Sequence, residues 1–223
     1  MKTIRTQQDL EDAIEYYGFL PFFSNNIPGF SIEEMCAPEA WFSGEEGAWE
    51  WKGPIARKKK CIYGKFFNKK AGFVSKKWVG DFINYRRDGY DYDARYNDGL
   101  VFYKDLEMYN TITEKKQIIS INLKDRLNYH KGGQTGFETV INRLMMQGYV
   151  CIGDFTYKVD KHGEPYGWGI GIYTTPEELF GYSFIEKGYQ RKPEESRDRI
   201  IKHLSSVLEN SVDQRDINKL IKL

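Results

Sequence analysis

The sequence is poor in the residues that build covalent or metal frameworks. It has 3 cysteines, Cys36, Cys61 and Cys151, an odd number and widely spaced. No CxxC pair and no Cys/His cluster stands among them, which argues against a disulfide scaffold or a zinc site. It has 3 histidines, His130, His162 and His203, none with a partner at metal-ligand or triad spacing. No cofactor or metal is therefore expected. No apolar run approaches the roughly 18 residues a spanning helix needs, so no membrane partner is expected. The N-terminus, Met1-Lys2-Thr3-Ile4-Arg5, lacks the apolar core of a signal peptide. These absences together lead us to expect a reducing, cytoplasmic setting. A Walker loop and a GxGxxG fingerprint are also missing, and the Gly167–Gly171 GxGxG falls in a strand-like run. There is no long repeat and no low-complexity tract.

Rings are plentiful by contrast. Aromatics make up 16% of the 223 residues, and a disordered chain would not carry so many. Net charge is only +1, which by itself names no partner, but the charge is segregated. Residues 1–51 hold two basic and ten acidic side chains. Residues 52–87 hold twelve basic side chains and a single acid, Asp81. Arg57, Lys58, Lys59, Lys60, Lys69, Lys70, Lys76, Lys77, Arg86 and Arg87 lie there among Tyr63, Phe66, Phe67, Phe73, Trp78 and Tyr85. Basic groups interleaved with rings suit a phosphate backbone bearing stackable bases, so DNA is the expected partner. The competing reading is a solvated face that balances the acidic first third. Asp81, Asp88, Asp91 and Asp93 admit a catalytic reading, but turn chemistry accounts for the last three more simply.

The pattern from residue 100 to 175 organises the chain. Residues 103–114 have a mixed helical spacing, and Ile118–Ser120 is a short β-branched run. Ile121–Leu127 is a one- to two-turn segment. Residues 136–147 form a strong helical period, with Phe137, Val140, Ile141 and Leu144 on one face and Gly148 to stop it. Tyr149–Lys158 and Tyr166–Tyr173 then flank Asp160-Lys161-His162-Gly163, a hairpin turn. Helix, small strand, two helices and a hairpin is the order of a winged helix. The second helix of the pair exposes Gln134, Thr135 and Arg143 among other hydrogen-bonding groups. With Lys161 on the wing, these complete the candidate nucleic-acid-binding set.

Elsewhere, Thr6–Tyr17 reads as a capped helix and Phe19–Phe23 as an irregular apolar segment. Residues 36–54 read as a loop-rich region pinned by three tryptophans. Cys61–Phe67 and Gly72–Val74 read as a hairpin, and Ser75 as the cap of a helix to about Arg87. Residues 88–93 read as a loop. Helices are expected from Pro176 and Pro193, with a helical tail from Ser211 to Leu223. The fold class expected is α+β. Residues 1–99 form a mixed N-terminal part, a smaller or degenerate version of the winged helix at 100–175, and residues 176–223 supply helices packed on the core.

Several blocks carry a resemblance. They include Trp49-Glu50-Trp51, Tyr63-Gly64-Lys65-Phe66-Phe67, Asn84-Tyr85-Arg86-Arg87-Asp88-Gly89-Tyr90-Asp91, Met146-Gln147-Gly148-Tyr149 and Thr175-Pro176-Glu177-Glu178. Through them the chain resembles a group of small bacterial proteins related to the winged-helix DNA glycosylases that excise alkylated and crosslinked bases. The resemblance implies a basic DNA-binding channel and action on damaged bases. Those glycosylases hold a catalytic water with a Gln-x-Gln or Gln-x-Asp motif. Here a Gln-x-Asp stands at Gln7-Gln8-Asp9, so Gln7 and Asp9 become catalytic candidates, although helix capping explains Asp9 as well. The alternative is a non-catalytic winged-helix regulator or protein-interaction module.

Overall fold

The computed structural model describes residues 3–42, 46–209 and 211–222, and expectations that fall on other positions lie outside the described residues. The chain opens with helix α1 (Gln7–Tyr17), held by a reciprocal capping box between Thr6 and Asp9. Gly18 ends it at φ +73, where a Cβ would stand 2.5 Å from Trp78 Cδ1. The chain then enters strand β1 (Phe19–Pro21), whose edge position tolerates the proline. Short helices α2 (Ile32–Met35) and α3 (Pro38–Trp41) lead to α4 (Ala48–Arg57). Strands β2 (Cys61–Phe67) and β3 (Lys70–Ser75) form a hairpin, and α5 (Lys76–Arg87) and α6 (Tyr92–Asn97) follow.

The second half repeats the order. Helix α7 (Tyr103–Lys115) precedes a two-residue strand, β4 (Ile118–Ile119), then α8 (Ser120–Arg126) and α9 (Phe137–Met146). Strands β5 (Cys151–Val159) and β6 (Pro165–Thr174) form the long hairpin. Helices α10 (Pro176–Phe180), α11 (Tyr182–Glu186), α12 (Pro193–Val207) and α13 (Gln214–Ile221) complete the chain.

Among the described residues the strands belong to one six-stranded antiparallel sheet in the order β1-β3-β2-β5-β6-β4. That order is a palindrome. In each half the short strand pairs with the second strand of the hairpin, β1 with β3 and β4 with β6. The two first hairpin strands meet at the centre, where Tyr63 faces Ile152. Helix α4 packs on β5 and helix α9 on β2, so each half lays a helix over the other's strand. Two ion pairs repeat the relationship. Arg57 on α4 reaches Asp154 on β5 at 2.6 Å, and Lys65 on β2 reaches Glu138 on α9 at 3.1 Å.

The core follows the periodicity of the sequence. Phe137, Val140, Ile141 and Leu144 are buried together with Leu123, Met108 and Ile112, while Leu106 is only partly buried. The C-terminal tail packs back, with Ile217, Leu220 and Ile221 buried. Four local readings change. Residues 36–54 contain two helices, because Glu50 caps the Gly47 amide and Pro54 is tolerated near the last turn of α4. Phe19–Pro21 is a strand. Asp91 caps a helix by accepting from Ala94 N at 2.8 Å, where a loop was expected. Ser75 stands at the N-cap of α5, but its buried hydroxyl makes no capping bond.

Candidate nucleic-acid interface

The candidate basic residues divide between the two ends of the sheet and its interior. Lys58, Lys59 and Lys60 form the turn between α4 and β2, and all three are exposed. Lys60 O accepts from Lys76 N at 2.8 Å, so Lys76 and Lys77 begin α5 at the same end. The register of Tyr63 against Ile152 sends β5 toward this end, and the Arg57–Asp154 pair fixes the contact. The rest of the β5–β6 hairpin, with exposed Lys158 and Lys161, projects past the turn. Arg57, Lys58, Lys59, Lys60, Lys76, Lys77 and Lys161 are thus brought to one end.

Some of these charges are already engaged. Lys58 Nζ lies 2.5 Å from Glu11 Oε1, and Lys76 Nζ sits 5.3 Å from the centre of the Phe180 ring. Burial raises the Glu11 carboxyl, but hydrogen bonds from Gln7 and Lys58 outweigh it and leave the group below the usual range. Lys59, Lys60, Lys77 and Lys161 form no ion pair among the described residues. A cavity of about 260 Å³ beside the turn is lined by Lys58, Lys60, Glu11 and Cys61. Burial, aided by the Glu11 and Glu15 charges, pushes the Cys61 thiol up to about 12, so it is no nucleophile at neutral pH.

Lys69 and Lys70 lie at the opposite end, on the β2–β3 turn. Lys69 N contacts Met146 Sδ at 3.3 Å, and Lys70 Nζ donates to Ser24 O at 2.8 Å. A cavity of about 370 Å³ there is lined by Lys69 and by Glu138, Thr139, Asn142 and Arg143 of α9. Arg143 is not available to a base edge as it stands. It is held bidentate by Asp105, at 2.6 and 2.5 Å, with Phe102 stacked on its guanidinium. Gln134 Nε2 faces Glu107 at 3.5 Å, and Thr135 O accepts from Lys104.

Arg86 and Arg87 are a correction. Both are 1% exposed. Arg86 donates to Phe66 O at 2.6 Å and Met146 O at 2.9 Å, tying the two halves together. Burial brings its guanidinium down to about 10, the acidity expected when no carboxylate compensates the lost water. Arg87 donates to Glu177, Tyr189 and Gly148 O and stacks on Tyr149. A run of two arginines at the end of a helix looks like surface charge in sequence, and here both point inward.

Gln7 adjoins the basic turn, because its Nε2 and Lys58 Nζ bond the same Glu11 Oε1, whereas Asp9 serves the start of α1. Gln7 is part-buried and donates to Glu11 at 2.8 Å. Asp9 accepts from the Thr6 and Arg5 amides, each at 3.2 Å, as the cap of α1. It lines a cavity of about 620 Å³ with Asp12, Tyr16, Tyr17, Met35 and Glu209. A second Gln-x-Asp, Gln214-Arg215-Asp216, escaped the sequence reading. It opens α13, where Asp216 O accepts from Asn26 at 2.8 Å. Asp81 is buried and bonded to Ser196 and Arg199. His203 faces Tyr17 O at 3.0 Å and stacks on Trp78. Among the described residues no group of three His, Cys, Asp or Glu is placed to hold a metal ion, and no helix is long and apolar enough to cross a membrane.

Sequence reasoning also missed the face of α4 that meets the β5–β6 hairpin. There Lys52 is buried, 7% exposed, between the rings of Trp49 and Phe155. The spacing of Trp49 and Lys52 puts them on one helix face, a signal hidden by reading the stretch as loop.

The AlkZ-related family model matches residues 4–222. The chain belongs to the AlkZ-related family. Among solved structures, this AlkZ-related chain is similar to the Streptomyces sahachiroi DNA glycosylase AlkZ, with a TM-score of 0.49 and 11% identity over 89% of this chain and 51% of that one. The chain thus spans about half the length of that glycosylase. A comparison with curated proteins finds no match.

Proposed function

We propose that this AlkZ-related protein is a cytoplasmic DNA-binding protein of winged-helix build that works in DNA repair. The two halves, 7–75 and 103–174, are read as two winged-helix units joined back to back through β2 and β5, with the hairpins as wings. The observation that carries the reading is the exposed lysine turn at the base of the second wing, Lys58 to Lys60, with Lys77 and Lys161 at the same end. Clustered ammonium groups at a projecting hairpin suit the phosphates of a duplex. Membership in the AlkZ-related family supports the link to base repair.

DNA is held by the turn and the wing, and α9 is not the primary groove reader. Its Arg143 is engaged by Asp105, and its Glu138 faces Lys65 and Lys124. Gln7 and Asp9 are read as structural. Asp9 serves the α1 cap, and the cavity it lines carries further acids that would repel a DNA strand. The test is a duplex carrying a single alkylated purine, assayed for retention and for base release. Retention without release is expected. Release that vanishes in Asp9→Asn, with retention intact, would make this pair catalytic. No retention even at low salt would end the DNA-binding reading.

A further inference from the structure

The cavity of about 620 Å³ beside α1 is lined by acids and rings and, among the described residues, by no basic side chain. Asp9, Asp12, Ala13 and Tyr16 recur three and four residues apart, so one face of α1 makes a wall. The end of α12 makes another, with Leu208 and Glu209. Ile4, Met35 and Leu208 are buried and give the cavity an apolar floor. Its volume falls within the roughly 300–1,000 Å³ of small-molecule sites.

The negative charge here is not balanced from within. Asp9 serves the α1 cap. Asp12 accepts from the Gln8 amide at 2.7 Å, and neither it nor the exposed Glu209 has an ion pair among the described residues. Arg5 and Lys58, the cations that adjoin α1, are taken by Glu39 and Glu11. Lys60 shares the smaller cavity with Asp12 and makes no ion pair with it. Helix α12, 15 residues long, adds the negative end of its dipole. Tyr17 points to a ligand independently. It lines the cavity at 6% exposure, and its hydroxyl makes no hydrogen bond among the described residues. Burial raises its pKa, and Tyr16 and the Glu209 carboxylate raise it further, so the hydroxyl lies within reach of the Glu209 charge.

This chemistry narrows the occupant. An anion, a nucleic-acid strand included, meets uncompensated carboxylates. No three ligating groups among the described residues converge on a metal position. A neutral apolar molecule covers the floor but draws the carboxylates out of water with no counter-charge. A protonated amine on an apolar body meets every feature. Its charge faces the acids and the Tyr16 ring, an ammonium N–H donates to the Tyr17 hydroxyl oxygen, and its body covers the floor.

We propose that the cavity between α1 and the end of α12 binds a small organic cation with an apolar body, its ammonium held by Asp12, Glu209 and the Tyr17 hydroxyl. The inference does not rest on the DNA-binding reading.

The test is calorimetric titration of the full chain with four probes. Tryptamine carries both the charge and the ring. Indole-3-ethanol keeps the ring without the charge, indole-3-acetate reverses the charge, and spermidine has charge without a ring. Tryptamine should bind, and indole-3-ethanol should bind roughly 3- to 30-fold more weakly, the range for two ammonium–carboxylate pairs near the surface. Indole-3-acetate and spermidine should be weaker still. Asp12→Asn and Glu209→Gln should each weaken tryptamine roughly 2- to 5-fold and leave indole-3-ethanol unchanged. Tyr17→Phe, which keeps the ring, should weaken tryptamine roughly 2- to 10-fold. Thermal melts of the two carboxylate variants, both at exposed positions, should match the parent, which separates lost binding from lost fold. Equal binding of tryptamine and indole-3-ethanol overturns the proposal, as does spermidine binding as tightly as tryptamine. Carboxylate variants that bind tryptamine like the parent overturn it too. So does a parent that takes up none of the four.

Discussion

Arg87 Nη1 meets Glu177 Oε1 at 2.5 Å, joining the last turn of α5 to the first turn of α10 in the interior. The pair is buried on the arginine side, and the guanidinium is pushed up from its ordinary value: desolvation opposes the charge, and Glu177 more than restores it. Removing one partner of such a pair leaves the other charge uncompensated. Arg87→Ala should therefore cost about 3–5 kcal/mol in denaturant unfolding. Lys77→Ala, at an exposed position, should stay within about 0.5 kcal/mol. Equal effects at the two positions would show that Arg87 is not held as described.

The apolar face of α9 gives a second test. Leu144 is fully buried with Ile141 beside it, and the face closes over Leu123. Leu144→Ala should cost about 2–5 kcal/mol through reduced burial and the cavity left behind. Circular-dichroism melts measure this directly. A change under about 1 kcal/mol would place Leu144 near the surface.

Much of this was legible beforehand, and the reason is periodicity. The alternation of helix-period and strand-period segments from 103 to 174 set the element order of the second half, since each segment has one face to bury. The first half was harder. Its helix α4 contains Gly53 and Pro54 and follows a Gly- and Glu-rich stretch, so local propensity spoke for a loop and tertiary packing on β5 overrode it. The basic set was half legible. Composition located the lysines of 57–77 correctly as exposed or near-exposed groups, but it could not tell them from Arg86 and Arg87. Only the packing of α5 between the two halves turns those two side chains inward. The burial of Lys52 was half legible: Trp49 stands three residues away on the same helix face, but Phe155 comes from the distant hairpin, and no local pattern records that meeting.

His203 sets a pH dependence. Burial first, with the Lys77 charge, lowers its pKa below 6.5, while the Tyr17 carbonyl works in the opposite direction. The folded state therefore prefers the neutral ring. Its contribution is fully present above the unfolded value of about 6.5 and is lost as pH falls below that, because the unfolded chain takes up the proton first. Stability should fall by up to about 1.4 kcal/mol per pH unit in that window from this group. His203→Gln, which keeps a donor for Tyr17 O, should flatten the curve between about pH 7 and 5. A parent and variant with parallel curves would remove His203 as the cause.

Gly18 links α1 to β1 under Trp78 and His203. Its φ of +73 and the 2.5 Å approach to Trp78 Cδ1 leave no room for a side chain. Gly18→Ala should destabilise the fold by more than about 1 kcal/mol, combining backbone strain with a ring displaced from its packing. A neutral effect in thermal melts would contradict the tight junction.

The most direct test of DNA binding through the basic end of the sheet is the salt dependence of duplex affinity. Log K for the parent should fall linearly with log salt, with a slope of roughly 0.9 per phosphate neutralised. Replacing Lys58, Lys59 and Lys60 with Ala should lower that slope by roughly 0.9 for each phosphate these lysines neutralise. Replacing Lys69 and Lys70, at the opposite end, should leave it as it is. An unchanged slope in the triple variant, a larger change in the Lys69/Lys70 variant, or a parent that binds no duplex at low salt would contradict the account.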